Sequence, residues 1–144
     1  MKVLTVRQPW AWAIARGGKD IENRRWTTTH RGPLAIHAAA TAGPDQLAAV
    51  RFIRRLVPAD VLPASVGDDR PYTEQGRVVA VVELVEVCKA GLSGQPCECG
   101  PWAMPGQAHW RLAHARPVTG PVLRGQLGLW EYELRALAGL VGEG

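Results

Sequence analysis

The stretch from Gly76 to Val87 constrains the fold more than any other part of this chain. In an extended backbone, side chains alternate between two faces. Val78, Ala80, Val82 and Leu84 then share one face, and Val79, Val81, Val85 and Val87 share the other. A strand apolar on both sides belongs in the interior of a sheet, with neighbours along both edges and cover on both faces. Glu83 falls among the second set, a carboxylate on an otherwise aliphatic face.

Shorter segments supply the neighbours. Leu4 and Val6 alternate with Thr5 and Arg7, which predicts a short first strand. Further strands are expected over 20–26, 33–38, 110–113, 118–123 and 127–134. Pro9 suits the first turn of a helix reaching Arg16, which Gly17-Gly18 would end. Within it, Trp10 and Ile14 stand four apart and face inward together. A second helix is predicted from Pro44 or Asp45 to Leu56, with Leu47, Val50, Ile53 and Val57 on its apolar side and Arg51, Arg54 and Arg55 on a solvated one. A short helix closes the chain. Residues 58–76 carry prolines and Asp68-Asp69 without a period, so they form an irregular excursion or lid. Residues 90–106, rich in Gly and Pro, are loop. The class is α+β: one domain over 1–144, with about six or seven mostly antiparallel strands in a small β-barrel and two or three flanking helices.

No apolar run approaches the ~20 residues that a membrane helix requires. No signal-peptide core precedes the first arginine, so a cytoplasmic protein without membrane partners is expected. The net charge is unevenly spread. Residues 1–55 carry ten Lys or Arg against three acids, +7, and the rest carry seven against ten, −3. A basic surface of this kind attracts polyanions, although charge alone favours a solvated face with no partner. Cys88, Cys97 and Cys99 are an odd number in a chain expected in a reducing cytosol, so no disulfides are expected. Cys97, Cys99 and His109 offer ligands that zinc prefers, but C-x-C is not the usual C-x-x-C knuckle and Cys88 falls at a strand end. No metal and no cofactor is expected.

The chemistry concentrates between Gly17 and Trp26, which read Gly-Gly-Lys-Asp-Ile-Glu-Asn-Arg-Arg-Trp. Alternation puts Asp20, Glu22, Arg24 and Trp26 on one face, so Glu22 and Arg24 are placed to pair. Lys19 falls out of phase, yet the glycines before it allow a bend that aims it into the same cleft. There an ammonium would grip a phosphate, or a desolvated amine would act as base or nucleophile. The alternative is an exposed ion network worth ~1 kcal/mol or less per pair. Six tryptophans against one phenylalanine is an unusual balance, and three of them, Trp10, Trp12 and Trp26, lie in the basic part. A ring beside Lys19 and Arg24 would stack a base. His37 stands on the face opposite Leu34 and Ile36, aimed at the cleft or held structurally.

The pattern G-x-K-x-x-E-x-R at Gly17, Lys19, Glu22 and Arg24 lies between Val6-Arg7-Gln8-Pro9-Trp10 and Arg31-Gly32-Pro33-Leu34-Ala35-Ile36-His37. Together these resemble the ASCH domain, a family named for activating signal cointegrator homology and related to the PUA domains that bind RNA. Looser matches follow at Pro101-Trp102, His109-Trp110 and Leu127-Gly128-Leu129-Trp130. The resemblance implies a PUA-like barrel. It also implies one of the activities associated with family members: binding nucleic acid, cutting single-stranded RNA, or hydrolysing an acylated cytidine. The family's small amidohydrolase is similar at Lys19 and Arg24, but Glu22 stands where that enzyme has a catalytic threonine. A carboxylate cannot do a hydroxyl's work, and Glu83 is the candidate for the enzyme's glutamate.

The reading that follows is a monomer binding RNA or single-stranded nucleic acid in a basic cleft. The alternative is a hydrolase acting on RNA or on a modified nucleoside, with Lys19, Glu22 and Glu83 as catalytic candidates. The candidate binding residues are Arg7, Gln8, Trp10, Lys19, Arg24, Arg25, His37, Trp102 and Trp110.

Overall fold

The doubly apolar segment is the middle of the sheet. In the computed structural model, which describes residues 1–41, 43–62 and 74–133, it forms a strand from Arg77 to Cys88, flanked by neighbours on both edges. In chain order the elements are β1 (Lys2–Val6), α1 (Trp10–Arg16), β2 (Ile21–Arg24), β3 (Gly32–Ala38), α2 (Gln46–Leu56), β4 (Arg77–Cys88), a 3-10 turn (Ala90–Ser93), β5 (Ala108–Pro117) and β6 (Leu129–Glu131). The six strands make one curled mixed sheet, a half-barrel, in the order β2-β5-β4-β3-β1-β6. Pairing is antiparallel except between β1 and β3, where Lys2 to Val6 run parallel to Leu34 to Ala38. The fold is α+β and PUA-like.

Parity along β1 and β3 sorts the core. Leu4, Val6, Leu34, Ile36, Ala80, Val82 and Leu84 face inward under Ala11 and Ile14 of α1. Val3 and Ala35 face the other way, where Trp130 covers them; the register shift between Ile36 and His37 turns Val78 to that side too, away from Ala80, Val82 and Leu84 with which it was expected to share a face. Each large aliphatic chain removed from water in this way contributes roughly 1.5–3 kcal/mol. A third cluster joins Trp12 of α1 and Ile21 of β2 to Ile53 of α2, Val57 and Trp102.

Several expectations change on contact with the tertiary structure. The face of β4 that carries Val79, Val81, Glu83 and Val85 is buried only as far as Val81; Glu83 and Val85 are exposed, as is Glu86 on the opposite parity, while Leu84 and Val87 stay buried, beside register shifts in the ladder with β5. Helix α2 presents Ala49 and Ile53 to the core, while Leu47 is exposed. Ala49 and Ile53 stand four apart and share the buried face, so the stripe is rotated from the predicted one. Among the described residues, 118–123 do not form a strand. Pro117 and Pro121 cannot donate to a ladder, and the segment instead follows β4 through single bonds from Val118 to Val79, Gly120 to Val78 and Leu123 to Gly76. The closing strand is only three residues long. The helix expected at the C-terminus and most of the expected lid, residues 63–73, lie outside the described residues.

Candidate functional site

Helix α1 ends where its glycines begin. Gly17 donates to Ala13 in the last helical bond, and Gly18 takes a positive φ of 74° that few other residues tolerate. The chain doubles back, and the Lys19 amide also reaches the Ala13 carbonyl, at 3.1 Å. Lys19 therefore departs from the phase of β2, and its side chain runs inward beneath Trp10, with Nζ 5.7 Å from the ring centroid. There it donates to the Ile21 carbonyl and, at 3.1 Å, to Glu22 Oε1.

Glu22 is the hub. One carboxylate oxygen takes Lys19 and the Asn23 amide; the other takes Arg24 Nη2 at 3.0 Å. The side chains of Lys19 and Glu22 are only 2% and 8% exposed, so this is a buried network and not the exposed one considered from sequence. Burial on its own would raise the Glu22 pKa. The charges and hydrogen bonds of Lys19 and Arg24 outweigh that, and the carboxyl is held below its ordinary value. Arg24 also donates to the Thr5 carbonyl at 2.8 Å. That bond matters for the architecture, because β2 is an edge strand and β1 lies four places away in the sheet. Arg24 thus stitches the curled sheet across the seam that no ladder closes.

Above this network opens a cleft of about 540 Å³. Its charged lining is Arg7, Lys19, Glu22 and Arg24, three cations against one carboxylate, with Trp10 on one wall and Met104 and Gln107 on another. Lys19, Glu22, Arg24, Trp10 and Arg7 from the sequence reading are thus brought together.

The remaining candidates are elsewhere. Trp110 is fully buried in the inner core, its indole N–H bonded to the Trp26 carbonyl and its ring edge-on to Trp26. Trp102 is buried against Phe52. Neither can stack a ligand, because each fills a hydrophobic cluster. Gln8 is buried as well: its side-chain oxygen accepts the Trp12 amide, and its nitrogen donates to the Glu74 carbonyl. His37 does lie opposite Leu34 and Ile36, but Trp130 covers that face, and the ring bridges Thr5 Oγ1 and the Leu123 carbonyl. Arg25 is exposed outside the cleft lining. Glu83 is exposed 3.9 Å from His114, away from the cleft, because the β4 face carrying it turns to solvent there.

Sequence reasoning missed Asn23, Met104 and Gln107. Asn23 donates to the Trp102 carbonyl and accepts the Met104 amide, pinning the 94–107 loop beside β2. It stood inside the motif, but its parity assigned it to the wrong face for the cleft. Met104 and Gln107 come from a stretch without a period and left no signal.

The sequence profile of the ASCH domain matches residues 4–121, most of the chain and all of the network. This protein belongs to the ASCH domain family. Within it, human (Homo sapiens) activating signal cointegrator 1 is 42% identical over 55 residues, which are 38% of this chain and 10% of that protein. The Mus musculus protein of the same name is 38% identical over 55 residues, with the same coverage. The similarity therefore takes in about a tenth of either relative. No helix among the described residues is long and apolar enough to cross a membrane.

Proposed function

We propose that this ASCH domain binds RNA or single-stranded nucleic acid in the cleft above the Lys19–Glu22–Arg24 network. The observation that carries the reading is the lining: three cations and one carboxylate around a space of about 540 Å³, with a half-buried tryptophan on its wall. A space within the ~300–1,000 Å³ range of small-ligand sites takes a nucleotide unit and excludes a stacked duplex. Arg7, exposed at the rim, and Arg24 within meet phosphate oxygens, and the Trp10 ring offers a base a stacking surface worth ~1–3 kcal/mol.

Fluorescence anisotropy with labelled RNA and DNA oligonucleotides, across a salt series, tests it. Two or three phosphate contacts give a slope of log affinity against log salt of about −1.4 to −2.1. Affinity indifferent to salt, or no binding at micromolar protein, overturns the proposal.

The hydrolase reading rests on the Lys19–Glu22 pair at the cleft wall. Lys19 already donates to Ile21 and Glu22, whereas a base or nucleophile needs a free lone pair. That occupancy favours binding over catalysis. Incubation with RNA and with an acylated cytidine, followed by chromatography, separates the two: product formation that Lys19→Ala abolishes supports the enzyme.

A further inference from the structure

We propose that Cys88, Cys97, Cys99 and His109 form a structural zinc site that anchors the loop between β4 and β5. The sequence spacing alone argued against a metal, since C-x-C is an unusual knuckle. The fold supplies the missing ligand. In the β4–β5 ladder Cys88 is the direct partner of His109, so two ligands separated by twenty-one positions stand side by side. The loop then returns Cys97 and Cys99 to the same point, and the four potential ligand atoms all lie within 4.8 Å of one another.

A zinc tetrahedron with ~2.3 Å metal–sulfur and ~2.0 Å metal–nitrogen bonds has ligand atoms ~3.5–3.8 Å apart. Cys97 Sγ and His109 Nδ1 are already 3.3 Å apart, and small rotamer changes bring the others into range. His109 is also oriented for the task. Its Nε2 lies 2.7 Å from the Met104 carbonyl, an acceptor only, so Nε2 carries the proton and Nδ1 turns its lone pair toward the thiols. That is the arrangement in which a backbone carbonyl fixes the tautomer of a metal-bound histidine. Three thiolates and an imidazole suit Zn²⁺ over Mg²⁺ or Ca²⁺, and four protein ligands leave no position for a substrate.

The site has a clear structural object. Past the 3-10 turn, the segment from Gly94 to Gln107 has neither helix nor strand. It nevertheless supplies Met104 and Gln107 to the cleft wall. A metal would hold it from one side while Asn23 and the buried Trp102 hold it from the other.

Full-length protein purified under reducing conditions without chelator, and assayed by inductively coupled plasma mass spectrometry, is expected to carry one zinc per chain. Replacement of zinc by Co²⁺ is expected to give the intense visible bands of a tetrahedral site with sulfur-to-cobalt charge transfer. Cys97 is exposed, so Cys97→Ser is expected to fold yet lose at least tenfold in zinc affinity. Cys88→Ser is expected to do the same, which distinguishes this cluster from incidental surface metal. Chelation is expected to lower the melting temperature of the wild type, and zinc to restore it. Less than a tenth of an equivalent of metal, with no cobalt charge-transfer band, overturns the proposal. So does iron in place of zinc, a disulfide among these cysteines in metal-free protein, or zinc content unchanged in both serine variants.

Discussion

Glu22→Gln removes the charge at the centre of the network and leaves its volume. The amide oxygen can still accept one donor, but its NH₂ then confronts another, and both cations lose their counter-charge. Lys19 is 2% exposed and Arg24 24% exposed. Removing one partner of a buried ion pair costs roughly 3–5 kcal/mol. Water reaches part of Arg24, and glutamine keeps one acceptor, so about 3 kcal/mol is the working figure. With ~2.1 cal/mol/K of unfolding entropy per residue, a chain of 144 residues loses about 10 °C in melting temperature.

The assay is calorimetry of both proteins at neutral pH and then at falling pH. The Glu22 carboxyl is held below its ordinary 4.5 in the folded state, burial opposing the shift and Lys19 and Arg24 prevailing. A depressed carboxylate contributes its full stability above the unfolded value and loses it as pH falls through the folded one. The gap between wild type and variant is therefore constant from neutral pH down to about 5 and closes below about 4. A loss under about 3 °C at neutral pH, less than ~1 kcal/mol, refutes the buried network. A gap that stays constant below pH 4 while both proteins remain folded refutes the pairing as its cause.

Arg7→Ala is expected to weaken oligonucleotide binding and make the salt slope shallower by about 0.7, while leaving the melting temperature unchanged, as anisotropy and calorimetry together would read. Trp10→Ala is expected to cost ~1–3 kcal/mol of binding for single strands, with the salt slope preserved; a variant that binds like wild type removes Trp10 from the interface. Asn23→Ala leaves the Met104 amide and Trp102 carbonyl without their partner, so faster hydrogen exchange at 102–104 and a loss of ~1–3 kcal/mol are expected in urea titration. In Gly120→Ala the new Cβ would stand 2.6 Å from Val78 Cβ and 2.8 Å from the Val78 carbonyl, inside the buried end of β4. A loss of ~1–3 kcal/mol is expected there, and unchanged stability would mean that the 118–123 segment is not held against the sheet.

Local chemistry made much of this protein legible in its sequence. The doubly apolar run of β4 declared an interior strand, Pro9 and Gly17-Gly18 bounded the first helix, and the parity of Glu22 and Arg24 announced their pairing. These are properties of neighbours in the chain, governed by backbone periodicity and the conformational limits of proline and glycine. Which tryptophan meets the cleft was decided elsewhere. Trp10, Trp102 and Trp110 are the same side chain with the same surface to hide, and only the packing of α1, α2 and the sheet left Trp10 half-exposed while sealing the other two. Met104 and Gln107 reach the cleft because Asn23 pins their loop, and Cys88 meets Cys97 and Cys99 because the β4–β5 register sets it opposite His109. Sequence separation carries no information about such encounters. They depend on where the curled sheet brings its far edges, and here that is decided by long-range burial and by one arginine crossing the open seam to Thr5.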